Sequence, residues 1–360
     1  MPWIDLKRQY AGVKGEVEAA IQRVLDSGWF VSASENEGFE QEWAAYCGTL
    51  HAVALASGTD ALNLTLKALG IGPGDEVITV AFTVSATLDA IHDLGAKPVL
   101  IDVDPVTYTL DPSQIAAKLS PHTKAILPVH VYGHPVDLDS ILAAAGDIPV
   151  VLDACEAHGA LYKGVQASTH GVATCYSFYP TKNLGALGDA GAVVTNDNAL
   201  AERLRLLRQH GWDRRYHSVT PSLNSRMDEI QAAILRAKLP YLDDWNDRRR
   251  AIARRFDEAI SGTKLTPAPN GPWADPAYYF YVVLTPQRDA FRGALKDAGI
   301  ATDVSWPEPP HLQPAYEYLG YGKGSLPVTE RLCDQVVTIP MFPDLTDPEI
   351  DRICAALRSF

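Results

Sequence analysis

The chain has 360 residues, 47% of them apolar and 21% charged, the proportions of an ordinary globular protein, which excludes wholesale disorder and fibrous repeats. Acidic residues outnumber basic ones by 44 to 31, a formal charge of −13. The overall field therefore does not attract nucleic acid or anionic lipid, and any phosphate must be held by a local site.

Met1–Tyr10 carries charges where a secretory leader needs an apolar run. The apolar stretches around Ile78–Leu88 and Ala125–Val136 are too short and interrupted to span a bilayer. Five scattered cysteines (Cys47, Cys155, Cys175, Cys333, Cys354) contain no Cys-x-x-Cys pair, so neither a disulfide framework nor a metal cluster is expected. A soluble cytoplasmic protein is the expectation.

From His51 onward, short β-branched runs alternate with helical patterns. Strands are predicted at His51–Ala56, Glu76–Val80, Pro98–Val103, Lys124–Val129 and Ile148–Leu152. Helices fall between them over Ala61–Leu69, Ser85–Leu94, Ser113–Leu119 and Leu138–Ala145. That alternation predicts a mostly parallel sheet covered on both faces, with ligands bound beyond the strands' carboxyl ends. Further strands, Ala173–Phe178 and Gly191–Thr195, flank a Gly- and Pro-containing loop at Tyr179–Ala190. A long helical region from Met227 to about Ile260, broken at Pro240, leads into a smaller α/β portion. That portion has a strand at Tyr278–Leu284, helices near Ala290–Ala298 and Pro348–Leu357, and a Pro-rich loop at Pro307–Pro314. The expected division is a large domain over 1–235 and a small C-terminal domain over 236–360.

Gly70-Ile-Gly-Pro-Gly74 follows a helix and precedes a strand, the reverse of the order a dinucleotide fingerprint needs, and reads as a turn. Ser57-Gly58-Thr59 stands between a strand and a helix, where free N–H groups and the helix dipole can hold a phosphate. Taken alone, an ordinary capped helix is the favoured reading of this segment. Asp153 ends the run Ile148–Leu152, either as a loop aspartate or as a buried anion for a cationic partner. Lys182 sits in Ser177-Phe-Tyr-Pro-Thr-Lys-Asn-Leu-Gly185 behind an aromatic lead-in. Most lysines are solvated, but a desolvated one has a lowered pKa and attacks carbonyls. Together a phosphate cradle, a strand-end carboxylate and an amine on a fixed loop match what pyridoxal 5′-phosphate needs.

At these residues the chain resembles the DegT/StrS-type nucleotide-sugar aminotransferases, of the aspartate-aminotransferase fold (fold type I). The resemblance covers Asp5–Tyr10, Leu25–Trp29, Ser57–Leu62, Asp153–Ala160, Ser177–Gly185 and Asn224-Ser-Arg-Met-Asp-Glu-Ile-Gln-Ala-Ala233. It implies that Lys182 forms the Schiff base with pyridoxal phosphate and that Asp153 pairs with the pyridinium nitrogen. It also implies that Gly58, Thr59 and Ser177 hold the phosphate, joined by Asn224 from the neighbouring subunit of a homodimer with a shared site. The implied reaction moves an amino group from an amino acid, by resemblance L-glutamate, to a nucleotide-linked keto sugar, with pyridoxamine phosphate carrying the amine between half-reactions.

Leu235–Leu239, Trp245–Arg248 and Pro309–Gln313 look like the branch that aminates C3 of dTDP-3-keto-6-deoxyhexoses. Arg214, Arg215 and Arg226 are candidates for the nucleotide's pyrophosphate, and His311 is a candidate substrate contact. The chain also departs from the family pattern. Glu156 replaces the usual Gln near the cofactor's phenolic oxygen, where a carboxylate would repel a phenolate unless protonated or turned aside. The ring-stacking position holds Val84, with Phe82 as nearest substitute. Ser305-Trp-Pro-Glu308 replaces a His-Tyr-Pro-type stretch, and His158 reads as a hydrogen-bonded structural residue. A keto-cyclitol or other non-sugar acceptor, or a regulatory protein that binds the cofactor without turnover, remain open alternatives.

Overall fold

The computed structural model describes residues 1–268 and 270–360. Three helices, α1 (Leu6–Gly12), α2 (Lys14–Ser27) and α3 (Ser34–Cys47), precede the first strand; the strand-by-strand pattern does not reach them. Their signal is helical spacing alone, with Val17, Ala20 and Val24 forming the buried stripe of α2.

The alternation then appears as expected, with small boundary shifts: β1 (His51–Leu55), α4 (Gly58–Ala68), β2 (Glu76–Val80), α5 (Ser85–His92), β3 (Lys97–Ile101), β4 (Thr123–Ile126), α6 (Leu138–Ala145) and β5 (Val151–Asp153). Next come β6 (Ala173–Ser177), β7 (Gly191–Thr195) and α7 (Asn198–Leu207). Ladders join β3–β2–β4 and β5–β6–β7–β1, and parallel bridges Ile126–Val150 and Val129–Asp153 connect the two sets. The combined order is β3-β2-β4-β5-β6-β7-β1, in which β7 alone runs against its neighbours.

Both faces are dry. Ile78 and Val80 enter one apolar cluster with Val99, Ile101 and Leu152, while Val77 points the other way, into a cluster with Val53, Leu55 and Leu62. Because β1, β2, β5 and β6 run the same way, Ser57, Thr83, Asp153 and Ser177 emerge at a single edge of the sheet.

After α8 (Glu229–Lys238) a 3₁₀ turn containing Pro240 redirects the chain into α9 (Leu242–Ile260), since proline cannot continue the hydrogen-bond ladder. The C-terminal portion packs antiparallel β8 (Tyr281–Leu284) and β9 (Val336–Ile339) against α9, α10 (Arg288–Asp297) and α12 (Asp347–Arg358). α11 (Pro327–Gln335) lies just before β9. Ile252, Phe256, Phe291, Val337, Ile350 and Leu357 form its core. The segment before β8 returns to the first sheet, where Tyr279 N–H donates to Tyr132 O and Ala277 N–H to Gly133 O. Among the described residues no helix is long and apolar enough to cross a membrane, and no group of His, Cys, Asp and Glu could hold a metal.

Candidate active site

The common edge of β1, β2, β5 and β6 opens into a cleft of about 310 Å³ lined by Gly58, Thr59, Asp153, Ser177, Lys182 and Tyr279, among others. Three chemical features meet there.

The first is the carboxylate. Asp153 is only 4% exposed, and a buried carboxylate persists only if its oxygens are satisfied. Thr87 Oγ1 donates to Oδ2 at 2.9 Å and the Cys155 N–H to Oδ1 at 3.2 Å, with Thr83 bonded to Thr87 behind them at 2.9 Å. The carboxylate is thus fixed in orientation by β5, α5 and the loop after β5.

The second feature is the head of α4. Ser57 Oγ accepts from Asp60 N–H at 3.1 Å and Ser57 O from Ala61 N–H. The amides of Gly58 and Thr59 remain at the helix's positive end, an anion site by geometry. Gly58 is required for close approach, since a Cβ there would stand 2.5 Å from Ser177 Cβ and 3.1 Å from Cys155 Sγ.

The third is the amine. The loop between β6 and β7 is pinned by Phe178 N–H to Ala190 O, Ala186 N–H to Phe178 O, and Asn183 Nδ2 to Ala277 O at 2.7 Å. Lys238, buried and with its pKa lowered by burial to about 8, donates to Gly185 O from beneath. Lys182 Nζ projects into the cleft, 3.3 Å from Glu156 Oε1 and 4.1 Å from the centre of the Tyr279 ring.

The simple expectation of a lowered lysine pKa is corrected here. Burial does push the ammonium down, but the Glu156 charge and the Tyr279 phenol outweigh it, and Lys182 stands above the usual lysine value. Burial in turn raises the Glu156 carboxyl, against the opposing pull of Lys182 and the Tyr132 N–H.

The donor set fits pyridoxal phosphate: a phosphate cradle closed by Gly58, an oriented carboxylate for a ring nitrogen and an amine for an aldehyde. Lys182, Asp153, Gly58, Thr59 and Ser177 share the cleft. Phe82 does not join them; it is fully buried, edge-on to Tyr132 and Trp306. Val84, 48% exposed, lines the cleft instead. Phe82 keeps to the side of Ile78 and Val80 and enters their core, while the turn after β2 carries Val84, of the same parity, out to the cleft at the head of α5.

Asn224 is exposed and apart from this chain's own cleft, bridged to Gln209. Arg226 is part-buried with an unpartnered Nε, while Arg214 and Arg215 are exposed on a hairpin. His311 is 1% exposed and faces Glu330 at 3.3 Å, outside the cleft lining. His158 is structural but not hydrogen-bonded as expected. Its ring packs among Trp43, Tyr176 and Phe178, both nitrogens without a partner among the described residues, and burial lowers its pKa to about 3. Tyr279 and Thr87 escaped the sequence reading, because each reaches its partner from a distant segment with no local pattern to announce it.

A model of the DegT/DnrJ/EryC1/StrS aminotransferase family matches residues 13–358. The chain is 44% identical to the "erythromycin biosynthesis sensory transduction protein EryC1" of Saccharopolyspora erythraea, covering 100% of this chain and 99% of that one. It is 45% identical to the dTDP-3-amino-3,4,6-trideoxy-alpha-D-glucose transaminase of Streptomyces venezuelae, over 100% and 96%. Among solved structures, S. venezuelae DesV in complex with a ketimine intermediate superposes with a TM-score of 0.97 at 44% identity, over 99% and 97%. NtdA of Bacillus subtilis with bound cofactor PMP superposes at 0.91 with 30% identity, over 99% and 84%.

Proposed function

The chain belongs to the DegT/DnrJ/EryC1/StrS aminotransferase family, and we propose that this transaminase uses pyridoxal phosphate to move an amino group from L-glutamate to a nucleotide-linked keto sugar. A dTDP-3-keto-6-deoxyhexose is the acceptor favoured by the S. venezuelae relative's activity and fold. The observation that carries the reading is the convergence of Lys182 Nζ, the Asp153 carboxylate and the open amides of α4 in one cleft. Bound there, the cofactor supplies an aldehyde for amine capture and a ring that accepts electrons.

The chain's own residues do the rest. Gly58 and Thr59 amides, with Ser177 Oγ, hold the phosphate. Asp153 keeps a proton on the ring nitrogen, and its Thr87 and Cys155 bonds stop it rotating away. Once free, Lys182 Nζ takes the proton from the donor's Cα and later returns one on the sugar side. Tyr279 and Thr181, whose hydroxyls are 2.8 Å apart, close one wall of the cleft against water.

Asn224 and Arg226 serve the neighbouring subunit in this scheme. Support comes from Asn224's exposure in the single chain and from large exposed surface aromatics, Trp29 at 69% and Tyr216 at 74%. The division into a cofactor-binding unit, 1–235, and a smaller unit, 236–360, is supported by the separate core around Phe256 and Leu357. A cytoplasmic location accords with five free cysteines.

The deciding experiment is borohydride reduction of the loaded protein followed by peptide mapping, alongside a glutamate assay. The tag is expected on the peptide carrying Lys182, with glutamate converted to 2-oxoglutarate. A tag elsewhere removes the reading, and tagging without turnover would favour the regulatory role named for the S. erythraea relative. Comparing a dTDP-keto sugar with a keto-cyclitol as acceptor tests the substrate class.

A further inference from the structure

Glu156 is built into the site more firmly than a chance neighbour would be. It is 9% exposed, and its two oxygens have different partners: Oε2 accepts the Tyr132 N–H at 2.9 Å, and Oε1 faces Lys182 Nζ at 3.3 Å. Tyr132 adopts φ 57°, ψ 15°, a left-handed conformation costly for a tyrosine, and in it the amide points at the carboxylate. Gly133 follows at φ 89°, where a Cβ would come within 2.8 Å of Glu156 O. The segment over Val131–Gly133 is therefore folded directly onto Glu156.

This arrangement bears on how Lys182 becomes a nucleophile. An ammonium has no lone pair, so one proton must leave Nζ before nitrogen can bond to carbon. Sending that proton to solvent from a closed site would strand the carboxylate as an unpaired buried charge. Transfer within the pair leaves no net charge: ammonium and carboxylate become amine and carboxylic acid. The other groups facing the pair are Asp153 at the end of β5, Cys155 on the same loop, Tyr279 ahead of β8 and the neutral His158 ring. Among the described residues none of these is hydrogen-bonded to Nζ, whereas the Glu156 carboxylate is.

We propose that Glu156 is the proton acceptor that activates Lys182, taking the Nζ proton onto Oε1 as the amine bonds to a carbonyl carbon and standing thereafter as a neutral acid. The carbonyl oxygen leaves as water; when a neutral amine later displaces the lysine, Nζ regains its two hydrogens from that amine while Oε1 keeps its proton, so the freed Lys182 is an uncharged amine able to accept a proton. This also answers how a carboxylate is tolerated where the family usually has Gln, because a protonated Glu156 presents no charge to a phenolate. The inference rests on Lys182 being the amine of the proposed function, and its first test needs no cofactor.

Cofactor-free protein is methylated with formaldehyde and cyanoborohydride across a pH series, and the peptide carrying residue 182 is quantified by mass spectrometry. In Glu156→Gln the midpoint of Lys182 labelling should fall by at least one pH unit, about tenfold more free amine at a given pH. An unchanged midpoint overturns the proposal. The second measurement uses the unmutated chain with isotope-labelled glutamate. Difference infrared spectra on loading pyridoxal phosphate should show a protonated-glutamate carbonyl stretch, absent from Glu156→Gln. A spectrum with carboxylate bands only overturns the proposal even if that variant fails to fold. Borohydride tagging away from Lys182 would refute the proposed function while leaving the labelling coupling intact, so the two failures are distinguishable.

Discussion

At the scale of single residues, the site depends on a few buried polar groups, chiefly Lys182, Asp153 and Glu156, each held by a hydrogen-bond partner. Lys182→Ala removes the amine proposed both to capture the cofactor and to carry the proton. Transamination should fall by at least ~10²–10⁴-fold, with loss of the cofactor's lysine-linked visible absorption and an unchanged far-UV spectrum. Asp153→Asn keeps the shape and the Thr87 contact but removes the charge that favours a protonated ring nitrogen. Cofactor should still bind, while single-turnover proton transfer slows by more than tenfold, roughly 1.4 kcal/mol of transition-state stabilisation. A rate equal to the unmutated enzyme would refute the role of Asp153. Both residues were legible in the sequence, Asp153 because it ends a strand-like run and Lys182 because it stands on a Pro- and Gly-containing loop just past one. Tyr279 was not, since its ring meets Lys182 only through the fold. Phe82 was misplaced because two apolar residues two apart, Phe82 and Val84, cannot be ranked until the turn after β2 is known.

At the scale of elements, the junction of α4 with β6 decides whether a phosphate can be held. Gly58→Ala forces a methyl to within 2.5 Å of Ser177 Cβ, so the helix head must lift. A destabilisation of about 1–3 kcal/mol is expected from overpacking, read as a lower melting temperature, together with cofactor affinity weakened by more than tenfold in a spectral titration. Strands and helices from β1 to α6 could be read in advance because a sheet buried on both faces requires runs of apolar, β-branched residues. The helices α1 to α3, α7 and α11, and strand β9, were not read. Their apolar stripes are narrow and diluted by charge, and β9 (Val336–Ile339) is four residues long.

At the scale of the whole molecule, three histidines are buried and neutral, His130 and His134 at the two ends of one turn and His158 among the aromatics of α3 and β6. Burial first, with neighbouring histidines second for His130 and Lys182 second for His158, lowers His130 and His158 to about 3, and burial lowers His134 to about 4, against an ordinary value of 6.5. Unfolding lets each take up a proton. Stability is therefore full above about pH 6.5 and erodes as pH falls toward 3, by roughly 1.4 kcal/mol per unit for each histidine. Melting temperatures measured from pH 7.5 to 4.5 should fall steadily, and a flat profile would refute this. The proposed role of Asn224 in a neighbouring subunit's site gives a second prediction at this scale. Lys182→Ala and Asn224→Ala chains, each impaired alone, should regain activity when mixed and refolded together, because the mixed dimer carries one intact site. Activity no greater than the sum of the parts would show that Asn224 does not act across subunits.

The sequence alone determined the alternation of strand and helix, the strand-end positions of Asp153 and Ser177 and the loop that carries Lys182. These are local facts: burial on two faces, helix caps and loop-fixing residues leave their mark within a few positions. Only the tertiary structure decided what meets across the cleft. It set Glu156 against Lys182, Tyr279 over the amine and the Tyr132 amide on the carboxylate, and it sent Phe82 into the core. Such pairings depend on strand order and on chain segments that close over one another, and no short-range pattern encodes the distance between side chains a hundred residues apart.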